Sequence, residues 1–206
     1  MRFNTRHKRI FLAWHIVNIL AALLWIYNPN DRCDAHIMER HYIKYHAQME
    51  DLYHKVRQQL KPGRNIYIEF EKGKVSAFSV FTEDKHGCNS WDPSEEKIDS
   101  LLMTSGLDRT DLNDIENELD DIHCISIVVS SSPHKPYKIG FRRILLDKYD
   151  FIIYPNVLSQ EEQERVASDP GNIQYSPHVV FRYNTGAIGN LNFPGKEEYL
   201  QSRKIR

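Results

Sequence analysis

Net charge is almost absent from this 206-residue chain, whose 27 lysines and arginines are balanced by 28 aspartates and glutamates, a formal charge of −1. No global field exists to draw in nucleic acid or an acidic polymer, so a nucleic-acid partner is not expected. Cysteine is scarce: Cys33, Cys88 and Cys124 are an odd set that cannot pair completely within one chain. Internal repeats and low-complexity linkers are missing, and the length suits one globular unit with an appendage better than two full domains. There is no G-x-S-x-G elbow, H-E-x-x-H pair, phosphate-binding glycine loop or dinucleotide fingerprint, so no cofactor or metal is expected. Long apolar runs are missing too, with one exception at the start of the chain.

That exception is Ile10–Tyr27, IFLAWHIVNILAALLWIY, which contains no formally charged residue. As a helix it covers about 27 Å, against a hydrocarbon core of about 30 Å. Trp14, Trp25 and Tyr27 lie toward its two ends, where amphipathic rings favour the interface, and Pro29 disfavours helix beyond Asn28. The mean hydropathy of −0.56 is polar even with this segment included, so the rest of the chain reads as a water-soluble domain. Arg2, Arg6, Lys8 and Arg9 precede the span without an acidic residue, whereas Asp31, Asp34 and Glu39 follow it. The positive-inside rule then assigns residues 1–9 to a cytoplasmic basic tail, 10–27 to a signal-anchor transmembrane helix, and the remainder to the far side, periplasmic in a bacterium. A cleaved secretory signal competes, but small residues at the spacing of a cleavage site are missing after Leu24. His15, Asn18, Ala22 and Trp25 share one helical face, a candidate surface for helix association in the membrane.

Asp31 to Leu60 contains no glycine or proline and is followed by Pro62 and Gly63, which predicts an amphipathic helix over 31–60. Met38, Tyr42, Tyr45, Met49, Leu52 and Val56 form an apolar seam with the 3.5-residue period of coiled-coil packing. The seam fits a partner helix or the protein's own sheet; Tyr and Met at four positions make a poor dimeric zipper and favour the sheet. His36, His41, His46 and His54 lie on the same stretch, and the reading preferred for them is a solvated face rather than a metal site.

From 64 to 195 the pattern predicts an α+β domain with a mainly antiparallel sheet covered on one face by helices. Asn65–Phe70 and Lys74–Thr82 alternate around Glu71-Lys72-Gly73 as a hairpin. Asp92 is read as the N-cap of a helix running to about Ser105 and stopped by Gly106. A second helix is expected over 110–121, strands over 124–130, 137–146 and 149–154, a short helix after Ser159, and a last strand over 178–183. The stretch 184–195 reads as loop or short edge structure, and 196–206 as a polar tail.

Chemistry is harder to locate. The cysteines are read first as free thiols; the alternatives are a disulfide between Cys88 and Cys124 and a zinc site joining those two to His86 and His123. The acidic run from Asp111 to Asp121 fails the calcium-loop pattern and reads as a solvated helix face. Ser131 and His134, with Asp147 and Asp150, are candidates for an envelope hydrolase, though no local spacing assembles them. The expectation is a non-enzymatic, membrane-anchored extracytoplasmic domain that works as a protein-interaction or assembly subunit, in contact with the lipid bilayer and with a protein partner or a second copy of itself. The alternatives are an anchored hydrolase and a small-ligand or peptide-binding domain.

Overall fold

Helix α1, Ala35–Gln59, begins where the Asp34 side chain accepts the Ile37 backbone N–H at 2.8 Å and ends in extended backbone at Leu60. This computed structural model describes residues 34–82, 87–144, 146–185 and 191–204. The segment Ile10–Tyr27, and with it His15, Asn18, Ala22 and Trp25, lies outside the described residues. Among those residues, no helix is long and apolar enough to cross a membrane.

The sheet has eight strands, β1 (Arg64–Glu71), β2 (Lys74–Thr82), β3 (Gly87–Trp91), β4 (Ser126–Ser130), β5 (Tyr137–Ile144), β6 (Asp147–Ile153), β7 (Asn172–Ser176) and β8 (Val179–Asn184). Their order is β3-β2-β1-β4-β5-β6-β8-β7, with antiparallel pairing throughout. The first hairpin turns at Lys72 and Gly73, both at positive φ, which is the backbone a two-residue turn needs. Between β3 and β4 the chain forms α2 (Glu95–Ser105) and α3 (Arg109–Asp121). That excursion carries it back across the sheet, so β4 pairs with β1 on the side away from β2.

One face of the sheet is apolar. Ile66 and Ile68 lie opposite Val80 and Phe78 on one side and Val129 and Ile127 on the other, and the row continues through Ile139, Phe151 and Phe181 to Ile173. This face forms one core with α1, α2 and α3. The α1 seam belongs to it: Met38, Tyr45, Met49, Leu52 and Val56 are buried and Tyr42 is packed against the cluster. The seam therefore packs on the protein's own sheet, and the partner-helix alternative finds no such face left free on α1.

Three features differ from the sequence expectation. Ser94, not Asp92, caps α2, its Oγ accepting the Lys97 N–H at 3.3 Å; Asp92 has φ 47° and donates its N–H to the Ser76 carbonyl, so it closes the β2–β3 pair instead. Strands β3 and β7 were not expected, because both are short, polar edge strands whose pairing comes from a neighbour rather than from their own alternation. Residues Lys196–Lys204 form helix α5, not an irregular tail: Tyr199 is 1% exposed, and its ring lies 4.9 Å from that of His36 on α1. Helix α4 (Gln160–Ser168) starts, as expected, at the Ser159–Glu162 capping box; it runs along the β7 edge and buries no side chain of its own.

Candidate functional site

The other face of the sheet carries charge at its centre. Strand alternation that buries Ile66, Ile68 and Phe70 turns Tyr67 and Glu69 to the opposite side. Cross-strand register then builds two rows: Tyr67, Val128, Lys138 and Ile152 in one; Glu69, Ser126, Gly140, Asp150 and Arg182 in the other. Past a bulge in β5, Arg143 pairs with Lys148 on the same side.

Glu69 is the hub. Its Oε1 accepts from Arg143 Nε at 2.8 Å and lies 2.7 Å from Nη2; its Oε2 accepts from Arg143 Nη2 at 3.0 Å, from Lys148 Nζ at 2.7 Å and from the Tyr67 hydroxyl. Lys148 Nζ also donates to Tyr67 Oη at 3.1 Å, lies 4.7 Å from the centre of that ring and 3.8 Å from Asp150 Oδ1. The glutamate side chain is only 5% exposed and that of Lys148 14%. Burial alone would raise the Glu69 carboxyl, but Lys148, Tyr67 and Arg143 outweigh it and hold the group below the usual glutamate range. Burial and the bond to Glu69 push the Tyr67 phenol up.

Beside this hub the balance of charge tips positive. Asp150 is buried, and desolvation raises its carboxyl against the pull of Lys148, Lys138 and Arg182. Burial lowers the Lys138 ammonium, and the Arg182 charge adds to that effect. Neither Lys138 nor Arg182 makes a hydrogen bond or ion pair with another described residue. Four cations thus meet two carboxylates across the middle of one sheet face, and at its β3 edge the exposed Trp91 ring lies 6.5 Å from Tyr67.

Within this face Glu69 itself is poorly placed to act as a general base. Both its oxygens are engaged by cationic or hydroxyl donors, which hold the carboxylate ionised and in place. The serine-hydrolase candidates do not converge: Ser131 and His134 precede β5 and Asp147 lies beyond its far end, about 24 Å away along an eight-residue strand. Only Asp150 of that set joins the charged cluster.

The cysteines are placed apart. Cys88 is exposed on β3 opposite Val80, while Cys124 is buried just before β4, and both are free thiols. Three inter-strand gaps of about 4.8 Å separate β3 from β4, beyond the ~7 Å that a disulfide spans between Cα atoms. Cys124 Sγ instead lies 3.5 Å from His41 Nε2. Burial lowers His41 to about 4 and raises the Cys124 thiol, so the pair is neutral and the sulfur is not an activated nucleophile. The other helix histidines are dispersed: His36 against Tyr199, His46 on the Ile43 carbonyl, His54 3.7 Å from Glu50. Among the described residues, no three His, Cys, Asp or Glu side chains converge to hold a metal ion. The acidic face of α3 is used locally, Asp111 in its capping box and Asp114 and Glu118 on Lys55.

Sequence reasoning missed Tyr67, Glu69, Lys138, Arg143, Lys148 and Arg182. The available signal was the polar phase of each strand, and nothing local told which polar positions would meet. No protein-family model, curated protein or solved structure matches the chain.

Proposed function

We propose that this chain is a membrane-anchored, extracytoplasmic and non-enzymatic domain that binds a protein partner as a subunit of a larger assembly, and that the charged sheet face is where the partner docks. The observation that carries this reading is the cationic surplus beside the Glu69 hub: Lys138 and Arg182 share the field of one buried carboxylate, Asp150, and neither makes a hydrogen bond or ion pair with a described residue. An acidic patch on the partner complements them, and charge matching of this kind fixes register and raises association rates. The anchor rests on Ile10–Tyr27 and its basic flank.

The test is copurification after mild detergent extraction. A stoichiometric partner is expected with the wild type and with Lys55→Glu, a control beneath α3, and is expected to be lost with Lys138→Glu plus Arg182→Glu. Equal recovery in all three removes the sheet face from the reading. Release of the full chain by carbonate, or protection of a C-terminal tag from protease added outside the cell, removes the anchor and the topology.

A further inference from the structure

Lys138 and Arg182 stand on opposite sides of one strand. Lys138 on β5 pairs with Ile152 of β6, and Arg182 on β8 pairs with Asp150 of the same strand. Two inter-strand gaps, about 10 Å, separate β5 from β8, and neither cation is bonded to a described residue. An anion gripped by both therefore lies over β6, above Asp150 and Ile152.

Asp150 is poorly matched as well. It is 8% exposed, yet its carboxylate accepts no hydrogen bond from a described residue. Its ion contact is Lys148 Nζ at 3.8 Å, and that ammonium donates to Glu69 at 2.7 Å and to Tyr67 at 3.1 Å. A buried carboxylate without donors is costly to keep ionised, and burial raises it against the cations around it. The groups that face it are Lys148 on its own strand, Lys138 on β5, Arg182 on β8 and, from β1, Glu69 and Tyr67. On α4, Glu162 and Arg165 act on Tyr154, just past the end of β6. Glu69 is held ionised by its own donors, so Asp150 is the carboxylate of this pair that a proton reaches first.

We propose, on the docking face assigned above, that an anionic side chain of the partner seats over β6 between Lys138 and Arg182 and that Asp150 takes up a proton as it does, so that docking tightens in acid. Two carboxylates in one desolvated place do not both stay ionised. Neutral Asp150 donates its O–H to the arriving oxygen, the proton coming from solvent. By linkage, the bound anion raises the Asp150 carboxyl and acid strengthens binding by the same factor. A cation from the partner is the wrong occupant, since it would stand among Lys148, Lys138 and Arg182.

The experiment uses the full-length chain in detergent with sulfate as probe, an anion that does not titrate in the range examined. Site-resolved NMR follows the Lys138 ammonium, the Arg182 guanidinium and the Asp150 carboxyl carbon. Saturable shifts at both cations are expected, with affinity about 5- to 10-fold higher at about pH 4.5 than at about pH 7.5, and an Asp150 midpoint about one pH unit higher when sulfate is bound. Asp150→Asn, an uncharged near-isostere, is expected to bind at the higher pH as tightly as the wild type does at the lower. The midpoint is read in the wild type and decides the matter even where the variant fails to fold. No saturable shift at the two cations, an Asp150 midpoint that sulfate leaves in place, or the same pH slope in wild type and Asp150→Asn overturns the proposal. Any of these results, with the partner still lost from Lys138→Glu plus Arg182→Glu on copurification, removes the proton linkage and keeps the docking face. Full recovery of the partner with that double variant removes both.

Discussion

Lys148 on β6 reaches Glu69 on β1 at 2.7 Å by passing over two intervening strands, β5 at Gly140 and β4 at Ser126. Three inter-strand gaps make about 14 Å, a distance that two long side chains close only if nothing tall stands between them. A Cβ built on Gly140 would lie 2.0 Å from Ser126 Oγ and 2.9 Å from Lys148 Cε. Gly140→Ala is therefore expected to destabilise the fold by about 2 kcal/mol, measured by urea unfolding, and Ser126→Gly in the same chain to recover much of that loss. Equal losses with and without the serine change would show that clearance is not the reason for the glycine.

Glu69→Gln leaves Arg143 and Lys148 beside an amide, and the expected loss is about 3 kcal/mol near neutral pH. The sign of its pH dependence follows from the depressed folded value. Glu69 contributes fully above the ordinary 4.5 and loses its contribution as pH falls below that, through the lower folded value. The stability gap between wild type and Glu69→Gln should thus narrow below pH 4.5, and a gap constant down to pH 3 would contradict the assignment.

His41 acts in a different window. Its folded value of about 4 lies below the usual 6.5, chiefly because burial disfavours the imidazolium. The unfolded chain then binds the proton first, so stability is full above 6.5 and falls as pH drops toward 4. His41→Phe keeps the ring contacts with Phe141 and Phe151 in kind and should flatten the melting temperature between pH 6.5 and 4.5. An unchanged slope would place the responsible group elsewhere.

The two described thiols should differ in reactivity. Cys88 is exposed, whereas Cys124 is buried with its thiol raised by desolvation. Iodoacetamide treatment of the native protein, followed by peptide mapping, is expected to modify Cys88 quickly and Cys124 only after unfolding. Comparable rates at both positions would be incompatible with the packing of Cys124 under α1.

Local chemistry in the chain accounts for most element boundaries. Pro62 and Gly63 follow α1, Gly106 stops α2 in a left-handed cap, and Ser159 with Glu162 starts α4 by the expected reciprocal bonds. These features act within a few residues, which is why they are readable without a fold. The polar helix α5 was not, since its stability comes from Tyr199 docking against α1 and from Lys196 donating to the carbonyls of Ala167 and Asp169. Strand β3 likewise owes its existence to β2.

By itself, the order of residues determined where helices begin and end, which side of α1 and of each long strand is apolar, and that charge lies on the remaining phase. Tertiary structure alone decided that Glu69 meets Arg143 and Lys148, residues 74 and 79 positions away in the chain. The reason is the excursion through α2 and α3, which brings β4 to the free side of β1 and sets β5 and β6 beyond it. Register across four strands, a long-range property with no trace in local spacing, turned scattered polar positions into one charged face.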